Sequence, residues 1–180
     1  MRSAEEAQCA LAEVGAACAM DPLLRRRAFD YRHFLQELWS VGIIEVSSDI
    51  VEETGCFMVG RKDGKLRLIF DTRRANCHFV SPPHTGPASG ESLADLEIEE
   101  DQAVILKAAD VEVCFYQHAL PHWTRQFFGL PCIESRFLPA AMMKALNIGN
   151  EEGFAQFRVN VVPMGWSWRC TSSRKATCTS

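Results

Sequence analysis

The chain has 180 residues, a formal net charge of −4, 47% hydrophobic residues and 23% charged residues. These proportions are typical of a globular chain, and no apolar run approaches the roughly 20 residues that a membrane span needs. The eight cysteines show neither a C-x-x-C motif nor a histidine pair that would complete a zinc site, which favours free thiols in a reducing compartment. We therefore expect an intracellular protein, nuclear or cytoplasmic, without membrane association. It is either one domain or a piece of a larger enzyme.

Two helices are predicted at the start of the chain. The S-x-x-E pattern at residues 3–6 is a capping box, and the alanine-rich stretch after it predicts a helix to about residue 19. An Asp-Pro pair at residues 21–22 predicts the start of a second, amphipathic helix that ends near Gly42. The three arginines at 25–27 are interpreted as an exposed helix face, the alternative being contact with a nucleic-acid backbone.

A β-hairpin with a basic tip is predicted next. Phe57–Gly60 and Leu66–Phe70 are apolar runs, and the Asp-Gly pair between them is a strong hairpin signal. Residues 61–74 hold six cationic side chains against two acidic ones, whereas residues 91–112 hold eight acidic side chains against one lysine. A basic hairpin beside an acidic stretch would suit a phosphate-binding site next to a metal site. Charge runs of this kind also occur on ordinary solvent-exposed surfaces.

The chain after the hairpin predicts a connection, a short helix and a pair of strands. Residues 81–91 are rich in proline and glycine and predict a connection, and residues 92–98 predict a short helix. Ala103–Ala109 and Gln126–Ile133 predict two paired strands, with Asp110 at the carboxyl end of the first. This pairing would deliver one carboxylate to the rim of a sheet.

A turn of helix is predicted directly after Asp110, followed later by a helix and a strand. The helix-like spacing is that of Val111, Cys114, Phe115 and His118. Pro139 to about Gly149 predicts a helix, and Phe154 to Val162 alternates apolar and polar residues as a half-buried strand does.

Four separated segments carry a resemblance to one family. AADVEVCFYQHALP, RQFFGLP and VVPMGWSW resemble the palm of retroelement reverse transcriptases, and KLRLIFDTRRAN resembles the fingers hairpin of that family. The resemblance spans roughly residues 35–168 and implies an α+β fold, with a partial polymerase fingers and palm, an antiparallel sheet with packed helices, and N-terminal helices. The implied division is 1–42 for N-terminal helices, 43–91 for the fingers-like hairpin and linker, 92–168 for a partial palm, and 169–180 for a disordered tail.

The resemblance also implies a reaction and its residues. The reaction is template-directed transfer of a nucleotide from a deoxynucleoside triphosphate to a primer 3′-hydroxyl, with two Mg²⁺ ions stabilising the attacking and leaving oxygens. Nucleic-acid template-primer and a triphosphate are the implied partners. Seven residues are implicated: Asp110 as catalytic metal ligand with the carbonyl of Val111, Lys65 and Arg67 on the triphosphate, Phe115 against the sugar 2′ position, and Met164 and Gly165 against the new base pair.

One family feature is absent from the sequence. No aspartate follows Asp110, so the family's second acidic motif is missing and most of the metal ligands with it. Residues 169–180 contain no large aliphatic side chain that could continue an amphipathic helix. We therefore expect a fragment truncated before that motif and inactive alone. The alternatives are a non-catalytic nucleic-acid-binding module and a structural α+β domain in which Asp110 only caps a helix.

Overall fold

The computed structural model describes residues 1–84, 97, 105, 107, 111, 114–145 and 153–168. Over these residues the chain is α+β, as predicted, with short helices around small antiparallel sheets. The α-helices are α1 Ala4–Val14, α2 Pro22–Arg26, α3 Ala28–Ser40, α4 Arg73–Cys77 and α5 Ala140–Ala145, and 3₁₀ turns cover Cys114–Gln117, His122–Phe127 and Ser135–Phe137. The strands are β1 Ile44–Val46, β2 Gly55–Gly60, β3 Leu66–Asp71, β4 Ile133–Glu134, β5 Phe154–Ala155 and β6 Phe157–Val159.

The first helix begins as predicted but ends five residues earlier than residue 19. Ser3 and Glu6 form the reciprocal capping box. The helix stops at Val14 because Gly15 takes a φ of 84°, in the left-handed region that glycine tolerates. The residues after it run beside the hairpin, where the Ala19 amide donates to a carboxylate oxygen of Asp71 at 2.6 Å. This segment therefore reinforces the base of the hairpin.

The predicted helix over 22–42 is two helices. Arg27 takes an extended conformation (φ −121°, ψ 97°) and separates α2 from α3, so the prediction of one continuous helix is wrong. Helix α3 buries Tyr31, Leu35 and Leu38, and the arginines at 25–27 are exposed as expected. Because of this break, α3 does not have to continue the axis of α2, and its apolar side can face the core.

The predicted hairpin is confirmed. Strands β2 and β3 pair antiparallel with Val59 opposite Arg67. The tip closes through Arg61, whose amide donates to the Lys65 carbonyl at 2.8 Å, and through Gly64, which has a φ of 78°. The Asp-Gly pair therefore serves the turn as its sequence predicts.

The second predicted palm strand, Gln126–Ile133, is wrong. Its first residues belong to the 3₁₀ turn His122–Phe127, which begins after Pro121 and is held by the Thr124 side chain on the Pro121 carbonyl at 2.7 Å. Beyond it, Gly129 forms only isolated bridges, and Pro131 has no amide to continue a ladder. A continuous strand is therefore replaced by a turn and single bridges.

The last predicted strand is largely confirmed. The stretch Phe154 to Val162 contains β5 and β6, broken at Gln156, and β6 pairs with β1 while β5 pairs with β4. The helix predicted from Pro139 is present as α5 to Ala145. The predicted helix over 92–98, strand over 103–109 and tail over 169–180 lie outside the described residues, apart from isolated positions.

Buried side chains from distant parts of the chain form one hydrophobic cluster. Phe79 lies at its centre in ring contact with Phe127, Phe128 and Trp166, at centroid separations of 5.4, 6.4 and 5.5 Å. Aromatic pairs in such offset and edge arrangements add to the stabilisation from burial. In the described part of the chain, no helix has the length and apolar character to cross a bilayer.

Candidate functional site

The hairpin tip carries exposed cationic side chains. Arg61, Lys62, Lys65 and Arg67 are exposed, and Asp63 is the acid among them, bound to Arg61 Nη2 at 3.3 Å. A shallow cavity of about 400 Å³ lies at this tip, lined by Val59, Gly60, Arg61, Lys62, Asp63 and Arg67. Three cations against one acid give the cavity a net positive charge that would attract a phosphate group. Lys65 stands at the tip but is not part of the cavity wall.

Strand β3 is the support on which the turn after Asp110 rests. The hydroxyl of Tyr116 donates to the Leu68 carbonyl at 2.8 Å, and its ring meets Phe70 edge-on at 6.4 Å. Burial raises the pKa of Tyr116 to about 12, and the positive charge of Arg67 acts in the opposite direction. The turn Cys114–Gln117 therefore lies within electrostatic reach of the hairpin arginine.

The Pro-Met-Gly-Trp turn at 163–166 docks on the other end of the same strand. Gly165 has a φ of 123°, and a Cβ at this position would lie 2.8 Å from the Phe70 carbonyl oxygen. Asn76 holds the turn from α4, donating to the Gly165 carbonyl at 3.3 Å and accepting from the Ser167 amide at 3.0 Å. Only glycine permits this close approach of two backbones.

Asp71 and Arg73 form an ion pair that braces the end of strand β3. Arg73 donates through Nε and Nη2 to the two carboxylate oxygens of Asp71 at 2.8 and 2.7 Å. These hydrogen bonds, with those from the Ala19 and Arg73 amides, hold the pKa of Asp71 below its usual range. Asp71 is buried, and both of its carboxylate oxygens already accept hydrogen bonds from within the chain. Its role is therefore structural.

The structure describes six of the seven predicted site residues. Lys65 and Arg67 are exposed on the hairpin, Phe115 is half-buried against the core in the 3₁₀ turn, and Met164 and Gly165 are half-buried in the docked turn. Val111 is an exposed side chain. Asp110, on which the metal prediction depends, lies outside the described residues. Around strand β3, three of the four resembling segments therefore meet.

Comparison of the whole chain with protein-family models and with curated proteins gives no match.

Metal ligation finds no support among the residues that the structure describes. No group of three or more His, Cys, Asp or Glu side chains there is arranged to hold an ion. Mg²⁺ prefers several carboxylate and water oxygens in octahedral geometry, and a single Asp110 would supply one such ligand. The described donor set does not fit a two-ion centre, so no chemical step is derived through a metal.

Sequence reasoning missed Asn76 and gave Tyr116 no separate role. The Asn76 side chain binds a turn 89 residues further along the chain, and nothing local to Asn76 reports such a contact. Tyr116 follows Phe115, and the sequence does not show which of the two rings is anchored. In the structure it is Tyr116, because its hydroxyl is half-buried and donates to the Leu68 carbonyl. The aromatic pair could therefore have pointed to an anchored residue in this turn, whereas no feature of the sequence points to the contact of Asn76.

Proposed function

We propose that the chain is a reverse-transcriptase-like fingers and partial palm that binds a nucleoside triphosphate and nucleic acid at its basic hairpin. The ancestral reaction is nucleotidyl transfer to a primer 3′-hydroxyl, and the fragment alone is inactive in it. A nuclear or cytoplasmic location belongs to the same proposal, and Mg²⁺ bound by Asp110 belongs to the ancestral reaction.

One observation carries this proposal: strand β3 holds both the turn after Asp110 and the Pro-Met-Gly-Trp turn. Tyr116 binds Leu68 across 48 residues, and Gly165 lies so close to Phe70 that an added Cβ would be 2.8 Å from its carbonyl oxygen. Three segments chosen for their resemblance alone therefore share one support.

The electrostatics of the hairpin support a phosphate ligand. A guanidinium binds phosphate through two charge-assisted hydrogen bonds, and a lysine supplies a movable point charge. Arg67 is exposed and its backbone position is fixed by pairing with Val59, while Lys65 stands at the exposed tip. The tip thus offers one positioned and one adaptable cation.

The test is titration of a fluorescent deoxynucleoside triphosphate into the purified chain, with and without primer-template. We expect binding that weakens with rising salt, since phosphate contacts release counterions. Arg67→Gln and Lys65→Gln should each weaken binding several-fold. Arg26→Gln removes an exposed cation from helix α2 and should leave binding unchanged. Equal effects of Arg67→Gln and Arg26→Gln would show that the tip is not the site.

Primer extension tests the catalytic half of the proposal separately. With primer, template, triphosphates and Mg²⁺ we expect no extension, because the second acidic motif is missing. Extension that Asp110→Asn removes would overturn the expected inactivity and show that the carboxylate suffices.

A second candidate is a nucleic-acid-binding module without triphosphate recognition. The exposure of all four tip cations favours it, because these side chains are free to follow a phosphate backbone. Binding of primer-template that a triphosphate neither strengthens nor displaces, and that Lys65→Gln weakens, would favour this module over the first candidate.

A further inference from the structure

The thiol of Cys114 lies against an imidazole. Cys114 Sγ is 3.7 Å from His118 Nε2, with both side chains half-buried. We propose that Cys114 is a covalent modification site for soft carbon electrophiles, activated by His118, and that an adduct there displaces the turn Cys114–Gln117 and thereby weakens triphosphate binding. The second part of this inference rests on the proposed function, whereas the reactivity of the thiol does not.

His118 is held in place by the backbone around it. Its amide donates to the Phe115 carbonyl at 3.2 Å, and its own carbonyl accepts from the Val162 amide at 2.8 Å. The next residue, Ala119, bridges to Val161. These bonds fix the backbone from which the imidazole reaches the thiol, as the position of an activating base requires.

The pair suits nucleophilic substitution. The thiolate is the reactive form of cysteine, and His118 Nε2 lies within reach of the thiol proton. The sulfur forms a bond to the electrophilic carbon while the bond from that carbon to its leaving group breaks, and the electron pair departs with the leaving group. The proton passes to His118 Nε2, so charge and atoms balance without an oxidant or reductant.

The other described thiols are less suited to this reaction. Burial raises the pKa of Cys18 and Cys77, and it raises the pKa of Cys56 to about 12. Cys9 and Cys132 are exposed. Of the six described thiols, Cys114 is the one whose sulfur contacts an imidazole nitrogen. Exposure alone therefore predicts labelling of Cys9 and Cys132, whereas base activation predicts labelling of Cys114.

An adduct on Cys114 would act on the residues next to it. Cys114 begins the 3₁₀ turn that carries Phe115 and Tyr116, and Tyr116 fixes this turn to Leu68. Because the Cys114 side chain is half-buried, we expect an added group to crowd its neighbours and to move the turn away from strand β3. Loss of burial would then lower the pKa of Tyr116 from about 12 toward the ordinary value near 10.

The experiment is timed labelling of the whole native chain with iodoacetamide at neutral pH, followed by mass spectrometry of each cysteine peptide. Cys114 should react faster than Cys9 and Cys132. His118→Gln should slow Cys114 by about tenfold or more, since a positioned base contributes at least that much, and leave the two exposed thiols unchanged. If Cys9 and Cys132 lead in the wild-type chain, or if His118→Gln slows all three equally, the activated thiol is excluded.

A second measurement tests what the adduct does. Labelled chain should titrate Tyr116 nearer pH 10 and lose triphosphate binding, whereas Cys114→Ser should keep both properties after the same treatment. A labelled chain whose Tyr116 titration is unchanged refutes displacement of the turn, whatever the chain binds. If Tyr116 shifts but the unlabelled chain binds no triphosphate, the proposed function fails and the modification site stands.

Discussion

The hydroxyl of Tyr116 donates a 2.8 Å hydrogen bond to the carbonyl of Leu68, joining the turn after Asp110 to the middle of the hairpin strand. Strand β3 ends at Asp71, whose carboxylate binds Arg73, and the Pro-Met-Gly-Trp turn rests on Phe70. The hairpin is therefore a support for both neighbouring segments as well as a basic projection. Changes at its contacts should alter stability and ligand binding together.

Removing the Tyr116 hydroxyl tests this coupling. Tyr116→Phe keeps the ring contact with Phe70 but leaves the Leu68 carbonyl without its donor. We expect a loss of about 1 kcal/mol in the free energy of unfolding, the typical net value of one hydrogen bond, measured by urea denaturation. Triphosphate affinity should fall as well. Loss of stability with unchanged affinity would separate the turn from the proposed site.

Both tyrosines of the chain should resist ionisation. The chain contains two tyrosines, and the hydroxyls of both donate to backbone carbonyls, Tyr31 to Pro131 at 2.6 Å and Tyr116 to Leu68. Burial raises the pKa of Tyr31 well above 10 and that of Tyr116 to about 12. Because the folded pKa values exceed the unfolded value, the stability that depends on neutral tyrosine is present below pH 10 and lost as the pH rises toward 12.

The measurement is phenolate absorbance and far-ultraviolet circular dichroism along an alkaline titration. We expect no phenolate near pH 10, then a steep rise that coincides with unfolding. Tyr31→Phe and Tyr116→Phe should each remove half of the signal. A phenolate signal near pH 10 in the folded chain would contradict the burial of at least one ring.

Local sequence signals predicted the elements that depend on a few adjacent residues. The capping box of Ser3 and Glu6 and the Asp-Gly turn of the hairpin need only their own side chains and backbone, and both are present. The strand predicted over Gln126–Ile133 is absent because Pro121 favours the turn that covers its first residues and Pro131 cannot donate to a ladder. The break at Arg27 had no signal of its own in the sequence.

The candidate site was predictable as segments but not as contacts. Roles for Lys65, Arg67 and Phe115 could be proposed only from the resemblance of the segments that contain them. The hydrogen bond from Asn76 to Gly165 joins residues 89 positions apart in the sequence. Such a contact depends on tertiary packing, which the periodicity of a sequence does not encode. Sequence patterns predict which side of a helix or strand is apolar or charged. Which of these surfaces contact each other depends on tertiary packing.

The Asp71–Arg73 brace should make stability depend on acid. The pKa of Asp71 is held below its ordinary value, so its contribution is present above about pH 4 and is lost as the pH falls through the lower folded pKa. Asp71→Asn should lower the free energy of unfolding near neutral pH by about 1–3 kcal/mol, since bonds to a charged group are lost. It should also flatten the loss of stability that the wild type shows as the pH falls below about 4.

The control for this brace is Asp63→Asn at the hairpin tip. Asp63 is 42% exposed and binds Arg61 at 3.3 Å, so its removal should change stability by less than about 0.5 kcal/mol. Urea denaturation of the three proteins across this pH range gives the comparison. Parallel acid curves for the wild type and Asp71→Asn would mean that another carboxylate governs acid unfolding.

A methyl group at Gly165 should disrupt the docking of the Pro-Met-Gly-Trp turn. The added Cβ would lie 2.8 Å from the Phe70 carbonyl oxygen and 3.0 Å from Thr72 Oγ1, and φ at this position is 123°. The oxygen of Phe70 belongs to strand β3 and cannot move without disturbing the hairpin. We expect Gly165→Ala to destabilise the chain by about 2–4 kcal/mol, combining steric and backbone costs.

Gly64→Ala separates these two costs. Gly64 also has a positive φ, 78°, but nothing lies within 4 Å of an added Cβ, so the substitution should cost only about 1 kcal/mol of backbone strain. Urea denaturation measures both variants. The excess cost of Gly165→Ala over Gly64→Ala is then the cost of separating the turn from β3, and it should be accompanied by weaker triphosphate binding. Equal losses of stability at the two glycines would show that the turn is not held against β3. The two segments would then not share β3 as their support.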